Sequence, residues 1–146
     1  MAKINTYLNF SRNTEEAFNF YKSVFGGDFL EGKINRFGEV PPIEGRPPLL
    51  EEDKNLVMHV ALPILGGHLL MGPDAPESMG FTVNKGNNVY ISIHTDSRTQ
   101  ADDLFSTLTE GGVVEMPMAD MFWGDYFGSF TDKFGIKWMI SYSDRV

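Results

Sequence analysis

One order of local signals is written twice in this chain, and that doubling restricts the fold more than any other feature. "NTYLNF" at Asn5–Phe10 and "NVYISI" at Asn88–Ile93 both read Asn, any residue, Tyr, aliphatic, polar, apolar. Leu8 and Phe10 alternate with Tyr7 and Asn9, and Ile91 and Ile93 with Tyr90 and Ser92, a period of two that predicts a strand. A helical pattern follows each. In "NTEEAFNFYKSVFGG", Asn13 and Glu16 have capping-box spacing, and Ala17, Phe20, Tyr21 and Val24 form an apolar stripe. Gly26-Gly27 supplies a left-handed stop. In "SRTQADDLFSTLTEGG" the cap pair is Ser97 and Gln100, the stripe is Ala101, Leu104, Phe105 and Leu108, and Gly111-Gly112 ends it. The register slips by one residue at the strand-to-helix turn and by one more before the glycines, as short insertions in a duplicated unit would produce.

Each helix is followed by strand signals. In the first half these are Phe29–Phe37, Leu56–Ile64 and Gly67–Gly72, with Gly66-Gly67 as a hairpin turn between the last two. In the second they are Gly112–Met118, Asp125–Asp132 and Ile136–Tyr142, the last pair joined by "DKFG". Each half therefore predicts strand–helix–strand–strand–strand. One helix covers one face of such a sheet, so something else must cover the other. The expected boundaries are a first module at 1–74, a linker at 75–86 and a second module at 87–146 within one domain. "GEVPPIEGRPPLLEEDK" (Gly38–Lys54) lacks periodicity and predicts a long loop.

Composition removes several function classes. There is no cysteine, which excludes disulfides, thiolate metal sites and cysteine nucleophiles. A net charge of −8 argues against nucleic acid, because phosphates need a basic face. No apolar run approaches the roughly 20 residues that span a bilayer, and the start lacks a signal-peptide pattern, so the expectation is a cytoplasmic protein without membrane contact.

The chemistry-bearing residues are few. His59 alternates with Val57 and Ala61 and fits either a hydrogen-bonded wall position or a ligand contact. His68 follows the Gly-Gly turn and reads as a solvent-facing hairpin residue; His94 reads as paired locally with Asp96. Asp74, Asp120, Asp125 and Asp132 read as turn or capping residues. "MFWGDYFG" (Met121–Gly128) is the richest aromatic cluster, either a packed loop or the mouth of a ligand site where Trp123 stacks and donates its indole N–H. If Leu8, Phe10, Ile91 and Ile93 lie under the helices, then Asn5, Tyr7, Asn9, Asn88, Tyr90 and Ser92 face the other way. They then either line a polar ligand site or hydrogen-bond one another.

The paired units, with "NTEEAFNFYKSVFGG", "GHLLMGPDAP", "LTEGGVVEMPMADMFWGDYFGSFTDKFGIKW" and the strand carrying His59, resemble the PhnB-like family. That family lies in the vicinal oxygen chelate superfamily of glyoxalase I, bleomycin-resistance proteins and extradiol dioxygenases. The resemblance covers most of the chain apart from the proline-rich loop. It implies an α+β fold of two tandem βαβββ modules, a curled mixed sheet around a cavity, and a homodimer. Metalloenzymes of the superfamily take one His, Gln or Glu ligand from the first and last strand of each module. Here those strands offer Asn5, Asn88 and Trp138–Ile140, with His68 the exception, and amide oxygens are weak ligands for Zn, Ni or Fe. No cofactor is therefore predicted; a divalent metal is the alternative, with His59 and His68 as its weak candidates. The methyltransferase name that such proteins carry has no support in a Gly-rich loop between strand and helix.

The expected function is binding of a small organic ligand in a mixed aromatic and polar cavity. Asn5, Tyr7, Asn9, His59, Asn88, Tyr90, Ser92, Trp123 and Trp138 are its candidate residues. The alternatives are a divalent-metal-dependent lyase or dioxygenase and a drug-sequestering resistance protein.

Overall fold

The doubled grammar folds as two units, Met1–Val83 and Asn84–Val146, in a computed structural model that describes residues 2–41, 44–45 and 48–144. Parts of the proline-rich loop, at 42–43 and 46–47, lie outside the described residues.

The first unit contains β1 (Thr6–Tyr7), α1 (Thr14–Phe25), β2 (Asn35–Arg36), β3 (Val57–Pro63) and β4 (Leu69–Gly72). Its sheet runs β1-β4-β3-β2, with β1 parallel to β4 and the other pairs antiparallel. Two predicted strands are shorter than expected. Beyond Tyr7 the first one keeps only a single bridge, Phe10 to Asp74. The stretch Phe29–Phe37 is interrupted because Glu31 (φ 60°) and Gly32 (φ 65°) turn the chain back, and the Gly32 amide donates to the Phe29 carbonyl. Helix α1 buries Thr14, Ala17, Phe18 and Tyr21, so Phe18 takes the core position the spacing assigned to Phe20. Its ring meets Phe10 and Tyr21 edge-on, at 6.5 and 5.8 Å between centroids.

The second unit contains β5 (Ile91–His94), α2 (Arg98–Leu108), β6 (Val113–Asp120), β7 (Tyr126–Thr131) and β8 (Lys137–Tyr142). Its sheet runs β5-β8-β7-β6, the same order as the first. Phe130, Trp138 and Ile140 are fully buried, and Phe105 of α2 packs edge-on to Phe130 at 5.3 Å. Burying side chains of this size contributes about 1.5–3 kcal/mol each, against about 0–1 for an exposed ion pair. Packing beneath the helix, not surface charge, therefore holds each unit.

The two helices are capped differently from expectation. Ser97 does accept the Gln100 amide at 3.0 Å, while Gln100 Oε1 accepts from Asp96 rather than closing the box on Ser97. Asn13 occupies the cap position of α1 but makes no cap bond. Asp74 does that work from the end of β4, accepting the Thr14 amide at 3.0 Å and the Val57 amide at 2.8 Å. It is 3% exposed, and more than the turn residue its sequence context suggests.

The hairpins fix how the two units correspond. Ile64 donates to the His68 carbonyl across one turn, and Asp132 donates to the Ile136 carbonyl across the other, both at 2.8 Å. Counting from those turns, Leu70 matches Trp138 and Met71 matches Met139. Because Tyr7 pairs with Met71 and Ser92 with Met139, Tyr7 corresponds to Ser92 and Asn5 to Tyr90. The sequence repeat, which aligned Tyr7 with Tyr90, is thus two residues out of structural register. A slip of two preserves the sheet face, so both tyrosines still point away from their helix.

Candidate functional site

Alternation along the strands separates a helix-covered face from a helix-free one. In the second sheet Phe130 and Gly128 lie opposite Trp138 and Ile140 and face α2: an added Cβ at Gly128 would stand 2.9 Å from the Phe105 ring. The intervening pairs, Thr131 with Lys137, Ser129 with Met139 and Phe127 with Ser141, occupy the helix-free face.

At one end of this face three charged and polar groups interlock. Lys137 Nζ donates to Glu115 Oε2 at 2.5 Å and to Thr131 Oγ1 at 2.8 Å; the Tyr90 hydroxyl donates to Glu115 Oε1 at 2.8 Å. The ammonium also stands 5.4 Å from the Tyr90 ring centroid. The Lys137 side chain is only 15% exposed and that of Glu115 29%. The Lys137 bond, and then the Tyr90 hydroxyl, hold the Glu115 carboxyl below its ordinary value. Bonding to Glu115 raises both Lys137 and Tyr90, so the ion pair and the phenol persist at neutral pH. At the other end Trp123, 45% exposed, leans on Phe127 at 6.2 Å and donates its indole N–H to Asp125 at 3.2 Å. Phe122, almost fully exposed, stands edge-on to Trp123.

The first sheet's helix-free face is plainer. Tyr7 is half exposed and stacks with His59, 6.5 Å between centroids and 22° between planes. Asn5 is spent on structure, its side-chain oxygen accepting the Leu69 amide at 3.1 Å. Asn9, Asn88 and Ser92 are exposed. Trp138 stands apart from the other candidates: it is entirely buried on the helix side, and its indole donates to Asp132 at 2.8 Å. His68 is half-buried and bonded to the Thr6 hydroxyl at 2.8 Å rather than open to solvent. His94 pairs with the Ser141 hydroxyl at 3.0 Å, not with Asp96. Glu115, Thr131 and Lys137 are additions to the candidate set. Alternation with Trp138 and Ile140 gives the sheet face of Lys137 in the sequence, as it does for Met139, but nothing local marks its pairing with Glu115 and Thr131.

These donors do not suit a transition metal. Among the described residues no three His, Cys, Asp or Glu side chains converge on one point where an ion could be held. The first and last strands bring a committed amide (Asn5), a thioether (Met139) and hydroxyl-bonded imidazoles (His68 and His94).

A family model described as 3-demethylubiquinone-9 3-methyltransferase matches residues 2–141. The chain belongs to this family. Among its PhnB-like relatives, protein YjdN of Escherichia coli (strain K12) is 28% identical over 147 residues, covering 94% of this chain and 93% of that protein. The crystal structure of PA1353 from Pseudomonas aeruginosa is similar over 98% of both chains, at 33% identity and a TM-score of 0.80. A PhnB protein from Bacillus cereus, itself called a putative 3-demethylubiquinone-9 3-methyltransferase, matches at 26% identity and a TM-score of 0.71, over 97% of this chain and 100% of that one. A glyoxalase/bleomycin resistance protein/dioxygenase family enzyme from Burkholderia phytofirmans PsJN, at 17% identity and a TM-score of 0.60, covers 94% of this chain and 96% of its own and shares the fold.

The residues of this PhnB-like chain do not fit a nucleoside-type methyl donor at its strand-to-helix turns. Neither turn, Ser11–Asn13 or Thr95–Ser97, contains a glycine that would let backbone approach a ligand. One amide at each helix start already has a protein acceptor: Thr14 has Asp74, and Gln100 has Ser97. No helix among the described residues is long and apolar enough to cross a membrane.

Proposed function

We propose that this PhnB-like protein binds a small organic molecule on the helix-free face of its second sheet, with no metal in the site. One observation carries the reading: that face joins a hydrogen-bonded Tyr90–Glu115–Lys137 network to an aromatic end at Phe127 and Trp123. Sites for small molecules combine apolar and aromatic surface with a few placed polar groups, and this face offers Phe127, Trp123 and Met139 beside the Tyr90–Glu115–Lys137 network. The first unit supports the reading by contrast. Its positions matching Tyr90 and Lys137 are Asn5 and Leu69, joined by one side-chain-to-backbone bond. Among the described residues the first unit holds no counterpart of this network, so the fold does not require it.

The test is a fragment screen by protein-observed NMR in the presence of a chelator. The reading expects saturable shifts at Tyr90, Ser92, Phe127 and Met139. A library that yields no saturable binder, or one whose binders all need added Zn, Ni, Mn or Fe(II), overturns it.

A further inference from the structure

From the charge layout of the same face we infer the ligand class: an elongated molecule with a planar apolar or aromatic end and an uncharged hydrogen-bonding head, such as an aryl alcohol or amide. The inference rests on the binding reading above and adds the ligand's chemistry.

The length follows from the strand. Phe127 and Thr131 are both on the helix-free face of β7, four residues apart, which at about 3.3 Å per residue separates the two ends by roughly 13 Å. Between them lie Ser129 and Met139, small or flexible, which leave the middle uncharged. The aromatic end is set by Trp123 packed on Phe127, so a ring has an indole to stack on.

The head follows from charge. Lys137 and Glu115 neutralise each other at 2.5 Å, and the Tyr90 hydroxyl is bonded to the same carboxylate. An anionic head would have to take Lys137 from Glu115 and then sit beside that carboxylate. A cationic head would face the ammonium in the same way. A hydroxyl or amide meets neither repulsion: it donates to a carboxylate lone pair and accepts the ammonium's third N–H, leaving the ion pair and the Tyr90–Glu115 bond intact. The chain's net charge of −8 adds to the penalty on an anion.

Three probes with one ring and one spacer separate these cases: phenylbutanol, phenylbutanoate and protonated phenylbutylamine, titrated by protein NMR in chelator. The alcohol should bind about tenfold tighter than either ion. Lys137→Met, which removes the head's donor and leaves Glu115 without its counter-ion, should erase that preference. Tyr90→Phe, which leaves the ion pair in place, should keep it, and Trp123→Ala should weaken all three probes. An acid or amine that matches the alcohol, or a preference that survives Lys137→Met, overturns the inference and leaves small-molecule binding standing. Failure of all three probes while a fragment library yields other binders also overturns the inference alone. Failure of the library as well removes both.

Discussion

Asp74 caps the helix that Thr14 begins, across 60 residues of sequence: the carboxylate accepts the Thr14 amide with one oxygen and the Val57 amide with the other. Helix α1, strand β3 and the end of β4 meet at this buried group. Asp74→Ala leaves two buried N–H groups without an acceptor and should cost about 2–4 kcal/mol in urea unfolding. Asn13→Ala, at the nominal cap, should stay within about 0.5 kcal/mol, because the Asn13 side chain makes no cap bond. Ser97→Ala in the second unit removes a working cap and should cost about 1 kcal/mol.

Asp132 plays a comparable part in the β7–β8 hairpin. One oxygen accepts the Phe134 and Ile136 amides at 2.8 and 3.0 Å, and the other accepts the Trp138 indole. Asp132→Ala should lower stability by about 2–4 kcal/mol, since it strands a buried indole N–H as well as the turn amides. Calorimetry of the variant should show that loss with the first unit's secondary structure intact by circular dichroism.

Acid should weaken the first unit through Asp53. The Ser78 hydroxyl at 2.6 Å, and then Arg12 at 3.0 Å, hold this carboxyl below its ordinary value. A carboxylate depressed in the folded state contributes stability above its unfolded value of about 3.9, and that contribution is lost as pH falls through the folded value. Thermal midpoints should therefore be flat near neutrality and drop below about pH 4. Asp53→Asn should start lower at neutral pH and lose less on acidification.

Gly72 is a space requirement rather than a conformational one. An added Cβ would stand 2.5 Å from the Leu8 carbonyl oxygen and 3.1 Å from the Phe18 ring. Gly72→Ala should destabilise by about 1–3 kcal/mol, measured by denaturant midpoint. The same change at Gly66, where nothing lies within 4 Å of an added Cβ but φ is +66°, should cost about 1 kcal/mol of backbone strain alone.

The order of elements was legible because amphipathic periodicity and Gly-Gly stops act locally: Ala17 and Tyr21, or Ala101 and Leu108, mark the same helix faces in sequence and structure. What escaped were features set by partners far along the chain. The α1 cap comes from Asp74, and no spacing near Asn13 signals it. The exact pairing of the halves was hidden because "NTYLNF" and "NVYISI" match as text while their partners Met71 and Met139 place them two residues apart. On the site itself, alternation assigned Tyr7, Tyr90 and Ser92 to the helix-free side. Trp138 has the character of a ligand-facing aromatic, but its alternation with Lys137 and Met139 sets it opposite the buried Phe130, on the helix side. Lys137 and Glu115 carry no local mark of their pairing, because a surface-type residue in a strand gives no sign that its partner lies 22 positions away.

The central claim is metal-free binding of a small organic molecule at the Tyr90–Glu115–Lys137 end of the second sheet. Its most direct test is an amide NMR titration of chelator-treated protein with phenylbutanol. The account predicts saturable shifts clustered at Tyr90, Ser92, Phe127, Met139 and Lys137, abolished in Trp123→Ala/Lys137→Met. Shifts that appear only after Zn, Ni, Mn or Fe(II) is added, or that centre on His59 and His68 instead, would contradict it.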